Sequence, residues 1–259
     1  MDSPAVSHVE VNGNPCRVWT KGSGRRIGFL AGFGGLPKWI PFLDQLAEKY
    51  EVVAPSIPGF PGGIGHQSCD THIDWVVAIR DLLDEAGLLG GAPLIGSGPG
   101  ASLAAEVAAF WPGEVERLAL IAPWGISSND TPMADPWAQR VHEVAGLMCS
   151  DPSRWQDLKA EPEGANSAEW PIEQSRALEA SARIFWPLGN TGLAKRLGHI
   201  TCPALLLHGD SDQVISATYM EAFRAGIGGE TTLKTIANAG HLAELDQPQA
   251  VTDAIHTFL

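Results

Sequence analysis

The run Gly96-Ser97-Gly98-Pro99-Gly100 stands where a short apolar stretch, Pro93 to Gly96, gives way to the alanine-rich helical pattern Ala101 to Trp111. A sharp turn between a strand and a helix is a place to display a nucleophile, and its centre must have small neighbours because the backbone bends tightly there. Gly96 and Gly100 meet that demand around Gly98, whereas around Ser97 the flanks would be Ile95 and Pro99. The register therefore centres on Gly98, with Ser97 as its rival. Gly98 has no hydroxyl with which to attack a carbonyl, and Pro99 has no backbone N–H to donate to a developing oxyanion. Covalent acyl chemistry is disfavoured twice at this turn, although the N–H of Gly100 could replace the one that Pro99 lacks.

The elements that must hold such a turn are legible from periodicity. Candidate strands are Ser7 to Val11, Arg17 to Lys21, Ile27 to Ala31, Glu51 to Ala54, Pro93 to Gly96, Arg117 to Ala122, Ala204 to His208 and Thr231 to Ile236. Helical spacing is clearest over Trp39 to Tyr50, Ile73 to Ala86, Ala101 to Trp111, Ala217 to Ala225 and Pro248 to Phe258. Short apolar runs alternating with longer amphipathic ones predict an α/β fold: a mostly parallel eight-stranded sheet with helices on both faces and a hairpin-like start. The rhythm breaks once. From about Pro123 to about Thr201, proline, tryptophan and acidic residues mix with short helical pieces such as Ile172 to Phe185. A structureless loop of that length is improbable in a compact domain, so residues 124–200 are expected to form a helical cap on a core of residues 1–123 and 201–259.

The stretch from the turn through Ala101–Trp111 to Pro112, then Glu114-Val115 and Leu118 to Ile121, resembles the α/β-hydrolase superfamily, in particular its smaller esterase-like and lyase-like members. That resemblance covers nearly the whole chain except the cap, and it puts Gly98 in the nucleophile's place. It implies that Gly209-Asp210-Ser211-Asp212-Gln213-Val214 is the acid-bearing loop, with Asp212 as the acid and Asp210 as a competitor. It also implies that His241, preceded by Gly240 and followed by an acidic residue and Pro248, is the triad histidine. A carboxylate fixes the imidazole tautomer and stabilises its charged form, leaving the other nitrogen free as a general base. Leu30-Ala31-Gly32-Phe33-Gly34-Gly35 resembles the oxyanion loop, with Ala31 where that loop has histidine and the Phe33 N–H as donor. Ser56 replaces the aspartate of a second family turn, Ala54 to Phe60. The substrate pocket is expected from Gly32, Gly34, Ser97, Trp124 and Trp137, the tryptophans being candidates because Trp124 follows the sixth strand. Each of Trp124, Trp137, Trp155, Trp170 and Trp186 could equally be packing of a small subdomain.

At 259 residues, 44% hydrophobic and 18% charged, the chain is long enough for one large domain with an insertion. Its formal net charge of -13 argues against a nucleic-acid partner and against an anionic membrane surface. Cys16, Cys69, Cys149 and Cys202 are scattered, and no signal peptide or membrane-spanning run is evident, so a reduced cytoplasmic protein is expected. A homodimer is left open. No cofactor is called for: His66 and His72 lack partners at metal-ligand spacing, so they are expected to face solvent or to start a helix. Gly62-Gly63-Ile64-Gly65 opens no phosphate-binding helix and is expected to be mobile.

The reading these residues favour is an enzyme that acts on a small hydrophobic substrate through a His–Asp base directed at water or at the substrate itself. Lyase, C–C cleaving and cofactor-free oxygenase chemistry are the branches this implies. Two alternatives remain at this level: an esterase- or lactonase-like serine hydrolase captured as a nucleophile-deficient variant, and a ligand-binding member of the fold that breaks no bond.

Overall fold

The computed structural model describes residues 3–186 and 190–259; residues 1, 2 and 187–189, which fall within the core and cap expectations, lie outside it. One sheet of eight strands runs in the order β1-β2-β4-β3-β5-β6-β7-β8. The strands are β1 (Ala5–Val11), β2 (Asn14–Lys21), β3 (Arg25–Leu30), β4 (Tyr50–Pro55), β5 (Ala92–Ser97), β6 (Val115–Ile121), β7 (Ala204–Gly209) and β8 (Thr231–Ile236). Asn12 and Gly13, both at positive φ (50° and 71°), make the tight turn that lets β1 and β2 pair antiparallel. β2 is also antiparallel to β4, and every later pairing is parallel.

The helices are α1 (Pro41–Ala47), α2 (His72–Glu85), α3 (Gly98–Phe110), α4 (Val141–Met148), α5 (Pro152–Lys159), α6 (Trp170–Phe185), α7 (Ala217–Gly226), α8 (Ala243–Asp246) and α9 (Pro248–Phe258). The β3–α1–β4 crossover moves towards the antiparallel edge, while β4–α2–β5 and β5–α3–β6 move the other way. Right-handed crossovers of opposite direction place α1 on one face and α2 and α3 on the other. Helix α9 packs on α1 and covers the first face. The chain reverses direction around β3 and β5, so the crevice beyond their C-terminal ends is where a ligand site is expected in such a sheet. Gly32–Gly35 and Ser97–Gly100 both emerge there.

Burial explains the sequence pattern. All six residues of β7 are buried, as a central parallel strand requires, whereas most of β1 is exposed at the sheet edge. Helix α3 is buried along all but its last residue, and its one charged residue, Glu106, is held by a bidentate Arg196 guanidinium and by His72 Nε2 at 3.0 Å.

Several expectations need correction. Trp39 to Tyr50 does not form one helix: α1 starts at Pro41, which cannot continue a helix from its N-terminal side, and Tyr50 already belongs to β4. Helix α3 begins at Gly98, three residues earlier than the alanine-rich spacing predicts. Of the two roles expected for His66 and His72, starting a helix holds, since His66 opens a 3-10 turn and His72 opens α2, but His66 does not face solvent: it is fully buried, with Nε2 3.3 Å from Glu179 of α6. The glycines at 62, 63 and 65 are not a loose segment. A Cβ there would lie 2.7 Å from Arg17, 2.6 Å from the Ile57 carbonyl oxygen and 2.6 Å from Asn14, so close packing demands glycine. Helices α4 to α6 lie between β6 and β7, the stretch in which no strand was expected. Among the described residues, no helix is long and apolar enough to cross a membrane, and the four cysteines are unpaired.

Candidate active site

The strand-to-helix turn is built from close approach. A Cβ at Gly96 would fall 2.5 Å from Ala101 Cα, and one at Gly100 would fall 2.5 Å from the carbonyl oxygens of Leu30 and Ala31. Ser97 is extended (φ -121°, ψ 137°), and Gly98 then swings to φ +46°, the left-handed region that orders the turn. A Cβ on Gly98 would lie 3.3 Å from His241 Nε2. The side-chain direction that faces the imidazole thus belongs to position 98. Ser97 points elsewhere: its fully buried hydroxyl lies 3.0 Å from where a Gly32 Cβ would be, on the side of Glu244.

His241 sits on the loop between β8 and α8, fully buried, with Nδ1 3.0 Å from Asp212 Oδ2. Asp212 Oδ1 accepts the N–H groups of Val214 (2.7 Å) and Ile215 (3.1 Å), which fixes the carboxylate at the end of β7. Burial alone would raise the Asp212 pKa, but the neighbouring His241 and these two N–H donors hold it below the usual carboxylate value. Asp246, in α8, fastens the histidine loop from behind by accepting the N–H groups of Gly240 (2.7 Å), Ser150 (2.8 Å) and Asp151 (3.2 Å). Asp210, the rival acid, instead accepts the Ser211 hydroxyl at 2.9 Å on the exposed side of the loop.

The unforeseen member is Trp124. Its indole N–H donates to His241 Nε2 at 2.8 Å. Indole is a donor only, so Nε2 must carry the lone pair and the imidazole proton must sit on Nδ1, facing Asp212. Trp124 is placed by its backbone. Ala122 takes φ +44° at the end of β6, an unfavourable conformation outside glycine, and turns the chain back over the site. The Trp124 N–H then meets the Gly98 carbonyl at 3.5 Å, and its own carbonyl accepts the Ser102 hydroxyl at 2.6 Å. The sequence marked Trp124 as a wall of the pocket; nothing in its local pattern marked it as a partner of the histidine.

The loop after β3 offers one oxyanion candidate. The Phe33 N–H has no acceptor among the described residues, while the Gly34 N–H is taken by the Ser181 hydroxyl of α6 at 3.2 Å. Pro99 supplies no donor, and Gly100 lies in the first turn of α3, where N–H groups have no partner within the helix. Two groups near the site, the buried Glu244 and the half-buried Lys159, carry no signal in the sequence pattern. Burial pushes the Glu244 carboxyl up to about 7, against the Ser97 hydroxyl, its own N–H and His241, which pull it down. Lys159, at the end of α5, donates to the carbonyls of Gly35 (2.9 Å), Gly34 (3.0 Å) and Phe33 (3.3 Å).

An apolar cavity of about 330 Å³ lies beside this loop, lined by Phe33, Gly34, Trp137, Trp155 and Trp170 among others. Gly32, Ser97 and Trp124, expected in its wall, do not line it. Trp124 stands between the cavity and His241. Its ring packs on His241 (5.7 Å between centroids) on one side and on Phe33 (5.9 Å), Trp137 (6.0 Å) and Phe185 (5.5 Å) on the other. Among the described residues, no group of three or more His, Cys, Asp or Glu side chains is placed to hold a metal ion.

The sequence profile of the alpha/beta hydrolase family matches residues 29–254. The chain belongs to this family. It is 28% identical, over 94% of its length, to a dihydrolipoyllysine-residue acetyltransferase component of an acetoin cleaving system from Cupriavidus necator, and it spans 66% of that relative. It is 24% identical to the 2-hydroxy-6-oxo-2,4-heptadienoate hydrolase of Pseudomonas putida, over 95% of this chain and 89% of that one. Among solved structures, 2-hydroxy-6-oxo-6-phenylhexa-2,4-dienoate hydrolase from a Rhodococcus species superposes with a TM-score of 0.75 at 20% identity, covering 98% of this chain and 99% of the other. The alpha/beta hydrolase fold is thereby established across the whole chain, with its eight-stranded, mostly parallel sheet flanked by helices.

Proposed function

We propose that this alpha/beta hydrolase works by general-base catalysis, with the His241–Asp212 pair acting on water or on a small hydrophobic substrate and with no covalent intermediate. The observation that carries the reading is that Nε2 lies 3.3 Å from where a side chain at Gly98 would begin, with its lone pair taken by the Trp124 indole, while Asp212 secures Nδ1 at 3.0 Å. A hydroxyl at position 98 would ordinarily donate to that nitrogen. Here an indole does, and indole has no capacity to act as a nucleophile under these conditions. The turn is thus a nucleophile elbow put to another use, and the base becomes available when Trp124 releases Nε2. The Phe33 N–H is the oxyanion donor in this reading, and helices α4 to α6 form the cap over the cavity. The dienoate hydrolase among its curated relatives supports a small, partly unsaturated organic molecule as substrate. The unpaired cysteines support a reducing compartment such as the cytoplasm.

The test uses a panel of aryl and alkyl esters, lactones and 2-hydroxy-6-oxodienoates with the wild type, His241→Ala and Gly98→Ser/Trp124→Phe. The double variant is needed because a Cβ at 98 comes within 3.3 Å of Nε2 and its hydroxyl competes with the indole. Turnover that His241→Ala abolishes, with labelling by a fluorophosphonate only in the double variant, is expected. Turnover that survives His241→Ala, or fluorophosphonate labelling of the wild type, would overturn the reading.

A further inference from the structure

The cavity beside Phe33 carries one charge and nothing to balance it. Its wall is mostly aromatic and aliphatic, with Trp137, Trp155, Trp170, Val141 and Leu178 supplying much of it and Gln139 and Gln174 adding neutral amides, and Lys159 is the only ionisable residue among the described ones that lines it. The Lys159 ammonium is surrounded by neutral groups: the three carbonyls of Phe33, Gly34 and Gly35, and the Trp155 ring, whose centroid is 4.7 Å from Nζ. Among the described residues no carboxylate pairs with it. Two other part-buried cations do have such partners, Lys21 with Asp44 and Arg196 with Glu106; Arg17, like Lys159, is held by carbonyls, but it does not line this cavity. In a chain of net charge -13, a cationic cavity wall without an acid beside it is a departure from the surroundings. Burial among neutral groups pushes the ammonium down to about 7, a cost that an anion in the cavity would relieve.

We propose that the cavity takes a hydrophobic ligand bearing one negative charge, a carboxylate on an aryl or alkyl body, with a carboxylate oxygen replacing the Phe33 carbonyl as the third partner of the Lys159 ammonium. An ammonium has three donors, and the contact to the Phe33 carbonyl, at 3.3 Å, is the longest of the three. Charge-assisted bonds to carboxylates are shorter and stronger than bonds to neutral carbonyls, so the exchange favours the anion. The aromatic wall then receives the apolar body. The inference names the substrate class of the site described above and rests on that reading only for the claim that the bound molecule is also transformed.

Binding can be followed by quenching of tryptophan fluorescence at pH 6, with benzoate, phenylacetate, 4-phenylbutyrate and octanoate each compared with its primary amide. At least one acid is expected to bind about tenfold or more tightly than its amide, the difference a charge-assisted bond supplies. Lys159→Met should bring that ratio to about one while retaining amide binding, and Lys159→Arg should keep the preference. Equal affinities in the wild type, an acid preference that persists in Lys159→Met, or no binding by any probe would overturn the proposal. Acid-selective binding without His241-dependent turnover would leave it standing and sink the catalytic reading; His241-dependent turnover without acid selectivity would do the reverse.

Discussion

The two sides of the candidate site are built on different terms. On the β7–β8 side, the acids hold the backbone: Asp212 accepts two loop N–H groups besides facing the imidazole, and Asp246 accepts three. On the β5–β6 side, a glycine, a proline and an indole stand where a hydroxyl and a second N–H donor would be. The contrast teaches that Asp212 would be held in place by its loop whatever stands at position 98, because two N–H groups depend on it. His241 has no such second duty; its ring nitrogens meet only Asp212 and Trp124. The imidazole is therefore the residue on which a catalytic reading stands or falls.

The most damaging way to break the comparison is His241→Ala. Turnover is expected to fall by about 10² to 10⁴, the range general-base groups supply, while thermal unfolding stays cooperative. An unchanged kcat/KM would reduce His241 to a partner of Trp124. Next in size is the pH dependence of stability set by Glu244. Its folded value, about 7, lies above its ordinary 4.5, so the native state binds a proton that the unfolded chain has released between those values. Stability from this group is complete below about pH 4.5 and is lost as pH rises through 7, by about 3 kcal/mol in all. Chemical denaturation of Glu244→Gln should show that decline flattened; an identical pH profile would remove Glu244 from the account. Lys159 acts above 7 and in the opposite sense, since its folded value lies below its ordinary 10.5, so the two windows are separable.

Asp246→Ala should cost roughly 2 kcal/mol or more of unfolding free energy, because three N–H groups lose a charged acceptor. A loss of only a few tenths would mean that water replaces the clamp. The smallest effect sharpens the other side of the comparison. Trp124→Phe keeps an aromatic ring against Phe33 and Trp137 but frees Nε2, and a hydrogen bond of about 1 kcal/mol corresponds to a several-fold rise in turnover. A fall in activity, measured as kcat, would instead make the indole N–H a required donor in the reaction.

Much of this was readable in one dimension because it is local. The register of the turn followed from small residues at 96 and 100, and the geometry places position 98, not 97, before the imidazole. The strands followed from short apolar runs, and the eight-stranded alpha/beta hydrolase sheet agrees with them. Helices α4 and α5 fall in the stretch expected to hold short helical pieces, but they and α8 are not individually legible, because eight, eight and four residues give too little periodicity. The glycines at 62–65 misled because glycine signals either freedom or close packing, and only the neighbours decide which.

By itself the chain of residues determined the order of elements, the absence of a hydroxyl at 98 and the presence of an acid and a histidine in the later strands' loops, since each depends on side-chain type and near spacing. Only the tertiary structure decided what those groups meet. The Trp124 indole reaches Nε2 from 117 residues away, and Lys159 reaches the Phe33 loop from 126 away. No periodicity encodes such contacts, because they depend on how a turn at Ala122 and an inserted helix are carried by the sheet; it is there, not in the motif, that the base is covered and the cavity acquires its charge.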